Sequence, residues 1–150
     1  MPRVDELSAR LEHLMSGLNF VTTFVLLPLP PGTSLDDAEA AIAEEYPEAE
    51  LTGPRRTDAT EVWEEIDHAF AYRGDPSDGS GMDLAAAQES ELRELQDRYR
   101  THVREFINPE SVVYAGGCRG LPGYPVFWGY TLLILNPTRN GLLLFAAASD

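Results

Sequence analysis

The last forty residues, 111–150, are almost free of charge. Only Arg119, Arg139 and Asp150 stand there, whereas the first 110 residues hold 24 of the 25 acidic side chains. Charged groups are costly to bury, so this segment reads as interior sheet and the residues ahead of it as a coat. Within it, "VFWGYTLLIL" (126–135) reads as a strand, with Phe127 and Gly129 on one face and Trp128 and Tyr130 on the other. "LLLFAAA" (142–148) has no polar alternation and reads as the final strand, central rather than at an edge. Ser111 to Ala115 reads as a further strand. "NPTRNG" (136–141) reads as a hairpin connection, with Asn140-Gly141 as a left-handed turn.

The coat is helical. Val4, Leu7, Leu11, Leu14 and Leu18 recur at steps of three and four, which predicts a helix over 2–18. "FVTTFVLLPL" (20–29) reads as a strand ended by prolines, which cannot donate to a ladder. Thr33 or Ser34 caps a helix over 34–46 whose inner face is Leu35, Ala38, Ala41, Ile42 and Tyr46. "AELT" (49–52) reads as a short edge strand and "GPRRTDAT" as a turn. Val62, Ile66, Ala69 and Phe70 predict a helix over 60–71. "RGDPSDGSG" (73–81) has no hydrophobe and reads as a flexible polar loop. The longest helix spans 83–107, with Leu92, Leu95, Tyr99 and Val103 on one face and Glu89–Arg93 and Glu94–Arg98 as i,i+4 pairs; Glu6–Arg10 is another such pair. Together these elements predict one α+β domain over 1–150. It has a mixed or antiparallel sheet of four to five strands, a C-terminal hairpin at its centre, and three to four helices packed on it.

The totals narrow the function. The net charge is −14, and all 11 basic residues are arginine. Such a surface repels phosphate and anionic lipid, so no nucleic-acid or membrane partner is expected. It attracts a basic protein, although a host-wide acidic bias produces the same composition. One cysteine permits neither an internal disulfide nor a cysteine zinc cluster. No signal peptide opens the chain and no apolar run reaches the ~20 residues of a membrane span. The expectation is a soluble, cytoplasmic protein without cofactor or metal.

Three constellations carry the candidate chemistry. The first is the acidic surface of the third and fourth helices, Glu61, Glu64, Glu65, Asp67, Glu91 and Glu94, with Tyr124 and Trp128 as aromatic anchors for a basic partner. It supports a non-enzymatic interaction domain of the inhibitor, immunity or adaptor type. The second is Cys118 in "VVYAGGCRGLPGYPVFWGY", with Arg119 lowering its pKa and His68 or His102 as base, which would make a small cysteine hydrolase or transferase. An inert cysteine beside a tight turn is the plainer reading of the same residues. The third is the glycine loop 116–125, read as a bend with a small-ligand pocket. There the amides of Gly116, Gly117 and Gly120 with Arg119 would form an anion nest. Glu64 and His68 stand one helical turn apart, as a metal pair would, but an acidic solvated face explains them without metal.

Overall fold

The computed structural model describes residues 4–17, 20–74 and 84–149. In chain order the elements are α1 (Val4–Met15), β1 (Val21–Leu29), α2 (Leu35–Ala43), β2 (Glu50–Thr57), α3 (Ala59–Ala71), α4 (Ala86–Arg104), β3 (Val112–Arg119), β4 (Trp128–Leu135) and β5 (Gly141–Ser149). The strands form one five-stranded sheet in the order β1-β5-β4-β3-β2, and every neighbouring pair is antiparallel. The first two strands are therefore the two edges, joined by a crossover through α2, and the meander β3-β4-β5 fills the space between them. The fold is the expected α+β arrangement, and the C-terminal hairpin lies at the middle of the sheet.

The two-face burial of the C-terminal strands has a simple cause: both faces of the sheet are covered. On one face Leu132, Ile134, Leu142, Leu144, Ala146 and Ala148 meet Leu7, Leu11, Leu14 of α1, Val62, Ile66, Phe70 of α3, and Leu92, Leu95, Tyr99, Val103 of α4. On the other, Leu133, Leu135, Leu143, Phe145 and Ala147 meet Ala38 and Ile42 of α2. Every residue of β5 is buried. Alternation along the strands decides which side chain faces which layer.

Buried polar groups tie the layers together. The Tyr99 and Tyr130 hydroxyls lie 2.7 Å apart between α4 and β4, inside an aromatic cluster with Phe24 and Phe70. Asn136, at the end of β4, is buried and uses its whole amide. Its Nδ2 donates to the carbonyls of Phe106 and Asn140, both at 2.8 Å. Its Oδ1 accepts from Ser111 Oγ at 2.5 Å and Asn108 Nδ2 at 3.1 Å.

Side chains from α1, from Ser16 just beyond it, and from α2 reach amides on both sheet edges. On β1 the outward amide of Phe24 donates to the Glu12 carboxylate at 2.8 Å, and that of Thr22 to Ser16 Oγ at 3.1 Å. Pro28 has no amide to present. On β2 the outward amide of Leu51 donates to the Glu39 carboxylate at 2.9 Å. Burial pushes the Glu12 carboxyl above its ordinary range, and the Phe24 hydrogen bond works the other way.

Several local expectations are corrected. "GPRRT" is not a turn but the second half of β2. The chain absorbs Gly53 and Pro54 as a bulge, where the register to β3 shifts between Thr52 and Arg55. Gly116 to Arg119 is not a bend: it continues β3, with Gly117 opposite Thr52 and Cys118 opposite Leu51. The turn before Gly141 contains no left-handed residue; Asn136 holds Asn140 from the side instead. Arg10 pairs with Glu91, and Glu89 pairs with Arg73 rather than Arg93. Most of the polar loop at 73–81 lies outside the described residues, as does Asp83, and the helix expected over 83–107 runs from Ala86 to Arg104, with Ala85 as its N-cap.

Candidate protein-interaction surface

Most of the acids expected to greet a partner are already engaged with arginines of this chain. Glu61 makes a bidentate pair with Arg55, at 2.9 and 2.5 Å, and also accepts from Thr57 Oγ1. Glu91 makes one with Arg10 at 2.6 and 2.8 Å. Asp67 meets Arg100 at 3.1 Å and Glu94 meets Arg98 at 2.7 Å. These pairs hold Glu61 and Glu91 below the usual carboxylate range, with the arginine hydrogen bond as the first cause of each. Glu64 is exposed. Glu65 is partly buried and pushed up, first by burial and then by the charge of Glu61. The surface of α3 and α4 is thus largely self-neutralised.

The opposite layer differs. From residue 11 to residue 54 the sequence has no arginine, while 31–50 carries Asp36, Asp37, Glu39, Glu44, Glu45, Glu48 and Glu50. Helix α2 begins at Ser34, whose Oγ accepts the Asp37 amide at 3.2 Å. Ala38 and Ile42 turn inward and the acids outward. Asp36 and Asp37 suit the positive end of the helix. Glu44, Glu45 and Glu48 do not: they stand at or beyond the end where the helix dipole is negative. Among the described residues no arginine pairs with Asp36, Glu44, Glu45 or Glu48. Beside α2, facing β1, is a groove of about 480 Å³ floored by Leu27, Pro28 and Leu29 and walled by Ala41, Glu44 and Glu45. Sequence reasoning missed this surface. The signal was available as the long arginine-free stretch.

The two aromatic anchors part company. Tyr124 is exposed, on a segment held to the end of β5 by its amide on Ser149 Oγ at 3.1 Å. Trp128 is buried under the three-helix layer, stacked on Tyr130 at 6.4 Å and close to Phe24. It is a core side chain, because its strand position points it at α3 and α4 rather than at solvent. Val21, Val126 and Phe127 are exposed with Tyr124.

The cysteine constellation does not assemble. Cys118 lies on the α2 side of the sheet, whereas α3 and α4, which carry His68 and His102, pack on the other side. His102 Nε2 is buried without a hydrogen-bond partner among the described residues, and burial lowers its pKa. Arg119 pairs with Glu50 at 2.9 Å. Burial pushes the Cys118 thiol up, a backbone hydrogen bond from Glu50 pulls it back in part, and the Glu39 charge adds to the rise. We therefore expect alkylation of Cys118 to be slow at pH 7, with a rate still rising where a free cysteine has levelled off. A stopped-flow pH series with iodoacetamide reads this directly, and a plateau below about pH 8 would contradict it.

The anion nest does not form either. Gly117 is paired with Thr52 of β2 and Gly116 with Thr131 of β4, both within the β3 strand, so their amides do not line a concavity. Of the three nest glycines only Gly120 is left-handed, at φ +84°, where a Cβ would run into the Glu48 carbonyl. Leu121 then drops into the α2-side core. A cleft of about 170 Å³ lies where β3 parts from β4, lined by Arg55, Glu61, Glu65, Gly116, Gly129 and Tyr130. No group of three or more His, Cys, Asp or Glu among the described residues could hold a metal. No described helix is long and apolar enough to cross a membrane.

These features define an α+β domain in which an antiparallel five-stranded sheet lies between one acidic helix and three others, of which α3 and α4 are largely charge-paired. The same fold is found in the crystal structure of citrus MAF1, which aligns with a TM-score of 0.57 over 99% of this chain and 99% of that one, at 12% identity. At that identity the likeness is one of fold. No protein-family model and no curated protein matches the sequence.

Proposed function

We propose that this chain is a non-enzymatic protein-interaction domain that takes a basic partner on its α2 side. The observation that carries the reading is the contrast between the two layers. Most acids on α3 and α4 are matched by arginines, with Glu64 and Glu65 as exceptions, while among the described residues no arginine pairs with Asp36, Glu44, Glu45 or Glu48. Like charges gathered at the negative end of a helix lower its stability. Local conflicts of this kind collect where a surface serves binding rather than folding. A cationic partner relieves the conflict, and its approach is steered by the field of a chain with net charge −14.

The test compares two variants matched in net charge. One variant neutralises Asp36, Glu44, Glu45 and Glu48; the other neutralises Glu64, Asp67, Glu91 and Glu94. Each removes four negative charges. Binding of an arginine-rich peptide is followed by fluorescence anisotropy at low salt. We expect about a tenfold loss of affinity for the first variant and less than about threefold for the second, both fading as salt screens the field. Equal losses would mean that only the total charge matters and would remove α2 as the site.

A further inference from the structure

We infer that the groove between α2 and β1 seats one apolar side chain of a basic peptide segment, an inference that rests on the reading above. The groove has the composition such a seat needs. Its floor is Leu27, Pro28 and Leu29, and its wall on the α2 side is opened by the small Ala41. Leu29 is fully buried while Leu27 is partly exposed, so the floor is continuous with the core yet reachable. Pro28 has no amide proton, so an apolar group entering there strands no donor from that residue. At about 480 Å³ the space falls in the ~300–1,000 Å³ range of ligand-binding clefts.

The rim sets the charge of the occupant. Glu44 and Glu45 stand over the groove with no arginine paired to them among the described residues. Arg139, next in sequence to the groove residue Asn140, is turned away to the Glu105 carbonyl at 3.3 Å. A neutral apolar segment would gain the floor but leave the rim charges unanswered. A basic segment without an apolar residue would gain the rim but leave the floor in water. A segment with a leucine-like side chain between arginines or lysines meets both. A second copy of this chain is disfavoured as occupant, because each copy carries −14 and like charges repel across an interface.

The test uses the full chain and two ten-residue peptides, one with a central leucine flanked by arginines and one with glycine in its place. The leucine peptide is expected to bind at least about fivefold tighter, the order expected for burying one aliphatic side chain part-way. Ala41→Trp, which fills the groove, should erase that difference while leaving the salt-dependent binding common to both peptides. Because a bulky residue could disturb α2, the unaltered protein is also titrated by NMR. The leucine peptide should shift the Leu27 and Leu29 methyl signals and the glycine peptide should not. Equal affinities with unmoved methyls would overturn the groove while leaving the acidic-surface reading intact. Failure of both peptides to bind at low salt would overturn both readings. A dimer in sedimentation velocity that Ala41→Trp dissolves would place a second copy in the groove and overturn the assignment of a basic peptide.

Discussion

Asn136→Asp, which exchanges one side-chain amide for a carboxyl, is expected to cost ~2–6 kcal/mol of folding stability, about 1–3 for each carbonyl left without a donor. The wild-type amide donates to Phe106 and Asn140 and accepts from Ser111 and Asn108. A carboxylate keeps the two accepting bonds and turns two attractions into repulsions, in a buried position. The penalty has a sign in pH. Burial beside carbonyl oxygens raises the folded-state pKa of the introduced carboxyl above its unfolded value. The folded variant therefore binds its proton more tightly, and its deficit against wild type grows as pH rises from the unfolded pKa through the folded one. Urea melts of both proteins at about pH 4.5 and about pH 7.5 measure it, on either side of most of that rise. A difference below about 1 kcal/mol at the higher pH would show that the site relaxes or admits water. The residue matters beyond its own side-chain bonds because the Asn136 carbonyl also accepts the Gly32 amide at 2.8 Å. One residue thus sits where the end of α4, the start of β3, the hairpin and the entry to α2 meet.

The second large effect is at Tyr99. Tyr99→Ala should cost ~3–5 kcal/mol, as for other buried rings cut to alanine, since the ring is fully buried and makes edge contacts with Phe24 and Phe70 at 5.8 and 5.3 Å. Tyr99→Phe keeps the ring and isolates the question of the hydroxyl. Its partner Tyr130 is then left with a buried, unpaired O–H, at about 1–3 kcal/mol. Tyr130→Phe should cost a similar amount for the same reason. The double variant should cost less than the sum, because two apolar rings leave nothing unsatisfied. Chemical denaturation of the wild type, the two single phenylalanine variants and the double variant gives the coupling. Strictly additive losses would mean that water or another group satisfies each hydroxyl separately.

The sheet was legible because its chemistry is extreme. In "LLLFAAA" there is no polar position for solvent to claim, so burial on both faces is the only stable placement. The inner faces of α2 and α4 were legible from spacing alone: Ala38 and Ile42, and Leu92, Leu95, Tyr99 and Val103, are all buried. Glycine was the misleading signal. Gly116 and Gly117 suggested a bend because glycine permits one, yet they serve a close strand approach. A Cβ on Gly116 would meet the Thr52 carbonyl at 2.9 Å and Pro54 Cα at 3.1 Å. That requirement comes from residues about sixty positions away in the chain and leaves no local trace. Charge pairing was opaque for the same reason. Glu94–Arg98 could be read from helical spacing, but Arg10–Glu91 and Arg100–Asp67 are 81 and 33 residues apart. Counting acids therefore placed the candidate surface on the helices where they are neutralised, and overlooked α2 where they are not.

The glutamates that cover the two outer strands bear on how this molecule can be recognised at all. With Glu12 on Phe24 and Glu39 on Leu51, a visiting strand meets a carboxylate already seated on an amide at each margin of the sheet. Templated stacking of copy on copy meets the same obstacle. A binder that instead reads side chains on a helical flank depends for its affinity on which residues are displayed, and these can be retuned one position at a time without touching the scaffold beneath.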